Sequence, residues 1–449
     1  VHEILSLAFF PYLSGKCFNR FAKWQHSHKT LLDDPLTSSS ITQLSQRITD
    51  QHRMTLIKLR LERQPKGAIL DCDSTLKSGW GTYLVDLCWD NNKDNSELQN
   101  TVEAYVYSLT THEPVYYRSF PGDTVDISTV RTILVDLSAL GIKDVIFIGD
   151  RGYPSEENLA ALVEADLPFL MCAKVECEPI TPLLSEVTFD EDGIPVNMQY
   201  DAKHKLYYHQ MAIPEYTGEF EDGTSVCMKG LTANLFLNIY RRTDELGALK
   251  RKIQNEKLLL NKANADNVIP TDIKKYNALF EYFKIVYKKD DQGNPIGIDF
   301  SLCDKKVNKE RSICGFFSSI MYKMDINGAK ALEIDQSRGE YDINVDQLNH
   351  QMWQYVQKDS SEDGQNGRSF ISFVGLIAIS EVRKAWREKM QNRFESSIDM
   401  LDELESIRFS EYADGSTHMS SFTTKQIEIC DACGVTVPKE CMPFTARKA

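Results

Sequence analysis

Between residues 68 and 173 the sequence lays out one order of elements, and that order constrains the fold more than any other feature. "AILDCDST" is a short apolar strand ending in acids. "TVEAYVYSLT" and "PVYYRSFPG" alternate apolar and polar residues, with a turn at Thr111–Pro114 between them. "DISTVRTILVDLSALGI" has helical spacing and closes at Gly141. "DVIFIGD" is a strand, "SEENLAALVEA" a helix with Ser155 as N-cap, and "LPFLMCA" another strand. The order β-β-β-α-β-α-β predicts a mixed sheet, with three antiparallel strands first and later strands returning through helical crossovers. An RNase H-like core has this order, and other α/β folds share it.

At 449 residues the chain is long enough for about two or three domains in all. Residues 1–66 read as helices: "LSLAFFPYL", "CFNRFAKWQH", and one long helix over "SSSITQLSQRITDQHRMTLIKLRLERQ" with Ser39 or Ser40 as N-cap. This segment carries ten Lys and Arg against five Asp and Glu, or +5, within a chain of net charge −14. The net charge argues against a generic nucleic-acid coat protein but leaves room for local basic surfaces. The remainder is −19, and the asymmetry points the N-terminal segment toward phosphate. Plain packing against the next domain is the other reading of these helices.

Residues 176–312 interrupt the core. Strand-like "KLYYHQMAI" and "TANLFLNIY" precede a predicted helical hairpin, "RTDELGALKRKIQNEKLLLNKAN" and "DIKKYNALFEYFKIVYKK". Arg241, Arg242, Lys250, Arg251 and Lys252 in it face either DNA or solvent. The strand "CGFFSSIMYK", a helix from about Ala329 to Val356, the polar loop "KDSSEDGQNG" and the apolar helix "SFISFVGLIAISEVRKAW" follow. That last helix is shorter than the ~20 apolar residues a membrane span requires and reads as core. The expected domains are thus helical 1–66, core 67–175, inserted β/α subdomain 176–312, core 313–400 and a helical segment 401–449.

"ILSLAFFPYLSG" lacks a basic leader and a cleavage pattern, which argues against a secretory signal. Eleven scattered cysteines, mostly in apolar contexts, suit reduced thiols in a cytoplasm. Cys430, Cys433 and Cys441 would need His418 as a fourth zinc ligand; the competing reading is a helix that ends at Gly434.

The candidate chemistry lies in carboxylates. Asp71 and Asp73 stand two apart at a strand end and share one face of the sheet. Asp150 ends a second strand, and adjacent strands lie about 4.8 Å apart, so these acids can share a divalent ion. A third acid is expected from "ALEIDQSRGEYDINVDQLNHQM". At about 100° per residue, Asp335, Arg338, Asp342 and Asn349 lie within roughly 60° of one another on a helix. An Arg338–Asp342 pair is also an ordinary i, i+4 salt bridge.

With these residues in place, the sequence resembles the DDE transposases of bacterial insertion sequences, in the branch with a long insertion before the third acid. "LDCDS" is similar to the first-aspartate motif, and "YRSFPGDTVD" resembles a Gly-Asn-x-x-Asp-like segment with Asp123 in place of Asn. "IGDRGYPSEENL" matches the second-aspartate motif, while "CGFFSSIM" and "RSFISFVGLIAIS" correspond to the strand before and the helix after the third acid. The family's Tyr-Arg-Glu-Lys helix signature falls on Asp335, Arg338, Asp342 and Asn349, so only the arginine is shared.

The resemblance implies an RNase H-like mixed sheet flanked by helices, and a catalytic set Asp71, Asp150 and Asp342 that also binds two Mg²⁺ or Mn²⁺ ions. Asp73 and Arg338 would support it. Arg20, Lys23, Arg47, Arg53 and Arg151 are the candidate DNA contacts. Implied partners are double-stranded DNA, both inverted-repeat ends and target, and a second copy in a synaptic homodimer. The implied setting is the nucleoid of a bacterial or archaeal cytoplasm, with no membrane. A catalytically decayed, DNA-binding descendant is the alternative, and a structural protein built on the helical hairpin would need no DNA.

Overall fold

A computed structural model describes residues 1–16, 18–32, 34–80, 99–124, 126–150, 153–220, 223–338, 357–358 and 361–442. The chain is a mixed α/β protein that divides into two units, Val1–Leu167 with Asp335–Ala449, and Pro168–Ile334. Among the described residues no helix is long and apolar enough to cross a membrane.

The first unit opens with helices α1 (His2–Ser14), α2 (Ser38–Gln46) and α3 (Asp50–Glu62). The single long helix predicted from Ser38 onward is broken at Arg47–Thr49, because the Thr49 N–H donates to His52 Nδ1 at 3.1 Å and starts a new helix there. The N-cap of α2 is Thr37 rather than Ser39 or Ser40, since the Ser40 N–H donates to Thr37 Oγ1 at 3.1 Å.

Strands β1 (Ala68–Trp80), β2 (Gln99–Ser108), β3 (Glu113–Pro121) and β4 (Val145–Gly149) follow, with α4 (Asp126–Ala139) before β4 and α5 (Glu156–Glu164) after it. Their lateral order is β3-β2-β1-β4. β1 is antiparallel to β2 and parallel to β4, as the element order requires. His112, at φ 61°, takes the left-handed turn between β2 and β3. Gly141, at φ 74°, closes α4, and the Asn158 N–H donates to Ser155 Oγ at the start of α5.

The register of β1 decides what each face does. Ala68, Leu70 and Cys72 point into one face and are fully buried. Asp71 and Asp73 point into the other, opposite Tyr107 and Tyr105 of β2. That second face is covered by the helix Glu362–Ala385, whose Phe370, Phe373, Leu376 and Ile379 pack on Tyr105, Tyr107 and Tyr117. A strand buried on both faces reads as a continuous apolar run, and the acids in β1 are the exception to be explained.

The helix Glu362–Ala385 begins seven residues before the predicted apolar core of its sequence. Ser361 caps it, accepting the Gly364 N–H at 3.2 Å, and Glu362 and Asp363 lie in the first turn where the helix dipole favours acids. Its outer side buries Ile371 among Leu7, Phe10, Ile41 and Leu44 of α1 and α2. Residues 1–66 thus form a layer of this unit. Two glycines allow the close approach: a Cβ at Gly367 would lie 2.0 Å from the Ser45 carbonyl oxygen, and one at Gly375 2.5 Å from that of Ala8. Near the chain's end, the helix Thr424–Ala432 closes at Gly434, φ 72°, with Cys430 and Cys441 packed on Phe422 and Val437.

In the second unit, β5 (Phe169–Ala173), β6 (Gln199–Asp201), β7 (Leu206–Glu219), β8 (Ser225–Leu237) and, later, a strand Phe316–Tyr322 form one antiparallel set. The 27-residue helix Ile239–Ala265 is present as expected. Its predicted helical partner is helical only over Ile273–Asn277 and then enters a β-hairpin, Phe283–Lys289 paired with Pro295–Leu302. The run "FKIVYKK" alternates, and Asp290 accepts the Asn294 N–H across a turn in which Gly293 takes φ 84°. Leu249 and Leu260 of the helix pack on Phe283, Ile285 and Ile298.

The glycine environments give a contrast. Gly367→Val is expected to lower unfolding free energy by about 3 kcal/mol in urea denaturation, because the helix cannot move off Ser45 without opening a buried layer. Gly247→Ala, where a Cβ meets only the flexible Arg251 tip at 3.5 Å, is expected to be neutral or stabilising by up to about 1 kcal/mol.

Candidate active site

Asp71 lies mid-strand in β1 with a side chain 4% exposed, so its charge requires a partner. Arg338, in the last described turn of the helix 328–338, supplies it: Nε donates to Asp71 Oδ1 at 2.6 Å, and the Arg338 side chain is itself only 6% exposed. The guanidinium reaches further. Its Nη1 lies 3.7 Å from Asp150 Oδ1 and 3.7 Å from Asp335 Oδ1. Three carboxylates, from β1, from the residue after β4, and from one turn earlier on the helix, therefore surround one cation.

The fold produces this convergence directly. β1 and β4 are parallel neighbours with Asp71 beside Ile148 and Cys72 beside Gly149, so Asp150 leaves β4 one step past the level of Cys72. Asp335 and Arg338 are i, i+3 on one helix and share a side of it. The environments differ sharply, since the Asp150 side chain is 62% exposed and the Asp71 side chain is buried.

Asp73 shares the face of Asp71 but is half-buried, and it accepts the Ser74 N–H at 2.9 Å. It lies close enough to Tyr107 to help raise that phenol's pKa, though burial is the larger cause and Arg383 opposes it. Arg383, buried on the helix Glu362–Ala385, has its own pKa lowered mainly by burial. Further along β2, Glu103 is fully buried and accepts from the hydroxyls of Tyr105, Ser369 and Ser119.

Of the sequence-predicted residues, Asp71, Asp150 and Arg338 come together. Asp342 and Arg151 lie outside the described residues. Asp335, assigned to the position of the signature's tyrosine, is a third acid on the guanidinium; its i−3 spacing from Arg338 is the signal for it. Glu103 was overlooked, although the alternation of "TVEAYVYS" places it on the face of Tyr105 and Tyr107.

Among the candidate DNA contacts, Arg20, Lys23 and Arg47 are exposed. Arg53 is engaged internally. It pairs with Asp50 at 2.6 Å, donates to the Tyr117 carbonyl at 3.1 Å and lies 3.6 Å from Asp136. Those interactions brace α3 against β3 and α4.

The donor set is all carboxylate oxygen, the chemistry that Mg²⁺ and Mn²⁺ prefer. Among the described residues no group of three His, Cys, Asp or Glu side chains is arranged to hold a metal ion. The acids converge on the guanidinium, which marks the point where they stabilise positive charge.

No protein-family model and no curated protein matches the sequence. Among solved structures, the chain is similar to a piggyBac transposase synaptic complex with hairpin DNA, at 11% identity and a TM-score of 0.38, over 90% of this chain and 73% of that one. It is also similar to a Mos1 transposase paired-end complex with the left transposon end, at 13% identity and a TM-score of 0.18, over 35% and 48% of the two chains. Both scores are low, and the functional reading rests on the site's own residues.

Asp71→Ala is expected to destabilise the first unit by about 3 kcal/mol, because it strips a buried guanidinium of an ion pair at 2.6 Å. Asp150→Ala, at a mostly exposed carboxylate, is expected to cost under about 1 kcal/mol. Urea denaturation followed by tryptophan fluorescence checks both, and equal losses would contradict the burial difference.

Proposed function

We propose that the chain is a DNA transposase of the DDE type, acting by metal-dependent strand cleavage and strand transfer at insertion-sequence ends. One observation carries the reading: carboxylates from two neighbouring parallel strands and from a helix converge on a single positive charge. The resemblance of "LDCDS" and "IGDRGYPSEENL" to the aspartate motifs of that family supports the same reading.

In this reading Asp71, Asp150 and Asp342 hold two Mg²⁺ or Mn²⁺ ions, with Asp73 and Asp335 beside them. Bound there, the ions would supply Lewis acidity for an in-line displacement at phosphorus. The chain's own residues set the rest. Asp71, fixed in the sheet, forms the inner wall of the site. Asp150 presents its carboxylate to solvent, on the side from which a DNA phosphate can approach. Arg338 holds the three acids in one place. Arg20, Lys23 and Arg47 would contact backbone phosphates, which set register rather than sequence. A homodimer would bring two DNA ends together.

The second reading, a decayed transposase that binds DNA without cutting it, is favoured by one feature, the arginine that already occupies the acid cluster. The two separate in a cleavage assay with the element's own ends and Mg²⁺ or Mn²⁺. The enzyme reading expects nicking by the wild type and its loss, by at least about 100-fold, in Asp150→Ala. Intact DNA with both proteins, while binding persists, leaves the decayed reading standing. For the DNA surface, replacing Arg20, Lys23 and Arg47 with Ala is expected to flatten the slope of log affinity against log salt by about 2–3, at roughly 0.9 for each phosphate no longer neutralised. An unchanged slope would remove these residues from the interface.

A further inference from the structure

We propose that Arg338 is the resident cation of the acid cluster, and that a divalent metal is taken up by exchange with its guanidinium. The inference rests on the reading above that the cluster binds divalent ions. It adds that the chain carries its own competitor for that position.

Burial supplies the first reason. Asp71, with its side chain 4% exposed, needs a partner for its carboxylate, and Arg338 Nε donates to it at 2.6 Å. Position supplies the second. An ion shared by Asp71 and Asp150 would lie between them, and the guanidinium spans that same interval with Nε on Asp71 and Nη1 3.7 Å from Asp150. An arginine is always charged, so ion and guanidinium repel each other there at short range.

The helix provides a place for the displaced group. Asp335 is one turn before Arg338 and already 3.7 Å from its Nη1, so it stays with the arginine whatever happens at Asp71. Rotation about the arginine's own side-chain bonds moves the guanidinium from the Asp71–Asp150 interval toward Asp335 with no change in the backbone. In the metal-free protein the one guanidinium offsets part of the acids' charge and holds them together; in the loaded protein the ion would take over Asp71 and Asp150. Arg338 is therefore a positioning residue whose hold on Asp71 opposes metal binding.

Exchange lowers apparent metal affinity by the fraction of molecules in which the guanidinium has left, so removing the charge should raise that affinity about tenfold or more. The experiment is isothermal calorimetry of Mn²⁺ binding to the full-length wild type and to Arg338→Met, which keeps the apolar stem without the charge. Tighter binding by the variant, abolished by adding Asp150→Asn, is the expected result. Equal or weaker binding by Arg338→Met overturns the exchange while leaving the metal-site reading intact. No binding to either protein overturns both.

A second measurement needs no variant and stands even if Arg338→Met does not fold. In the wild type, the Arg338 Nε–H on Asp71 should give a protected NMR resonance that disappears as Mg²⁺ is titrated in. Its persistence at Mg²⁺ concentrations that saturate the calorimetric signal contradicts the exchange.

Discussion

A carboxylate buried in a sheet face needs a cation, and Asp71 receives one from a residue 267 positions away. The Arg338–Asp71 pair joins the first strand of the core to a helical residue just after the chain returns to the first unit at Asp335. The pair also draws in Asp150 and Asp335, so the one interaction that neutralises the strand assembles the rest of the site. Such a pair is a weak source of net stability, since desolvation offsets most of the attraction. Its clearer effect is specificity, as an unpaired Asp71 or Arg338 at this depth would be costly.

The face that carries Asp71 is sealed by a helix that is packed on two sides. Glu362–Ala385 lies between β2 and β3 on one side and the N-terminal helices on the other, with Gly367 and Gly375 set against backbone carbonyls. The N-terminal helices are accordingly a structural layer of the first unit as well as its most basic segment. That double role divides their charged residues. Arg53 braces β3 and α4, and Arg60 is buried against Glu113, whereas Arg20, Lys23 and Arg47 face solvent.

Much of the core was legible in the sequence because its signals are local. The alternation in β2 and β3, the cap at Ser155, the closure at Gly141 and the apolar run into Asp150 each follow from a few neighbouring residues. The parallel pairing of β1 and β4 then follows from connection rules. The misread segments are those where short-range chemistry competes with periodicity. The Thr49–His52 cap splits a run whose spacing is helical throughout, and the Asp290–Gly293 turn makes a hairpin of a segment rich in Lys and aromatics. In the site, Asp150 at the end of β4 was legible. Asp71 and Asp73 were legible as acids sharing one face but lie within β1, which runs on to Trp80, rather than at its end, and the common partner Arg338 was not legible. That Arg338 reaches across to Asp71 depends on how a helix distant in sequence is placed, and helical spacing alone suggested only an i, i+4 pair with Asp342.

Arg338 links the two functional readings. A guanidinium among carboxylates is either a counter-ion left where catalysis has been lost or an occupant that a metal displaces. The most direct measurement is the anomalous scattering of Mn²⁺ in crystals of the full chain. The account predicts a peak within about 2.2 Å of both the Asp71 and Asp150 carboxylates, with the Arg338 guanidinium moved away from Asp71. A map with no peak there at saturating Mn²⁺, or with Arg338 Nε still donating to Asp71 beside a bound ion, would contradict it.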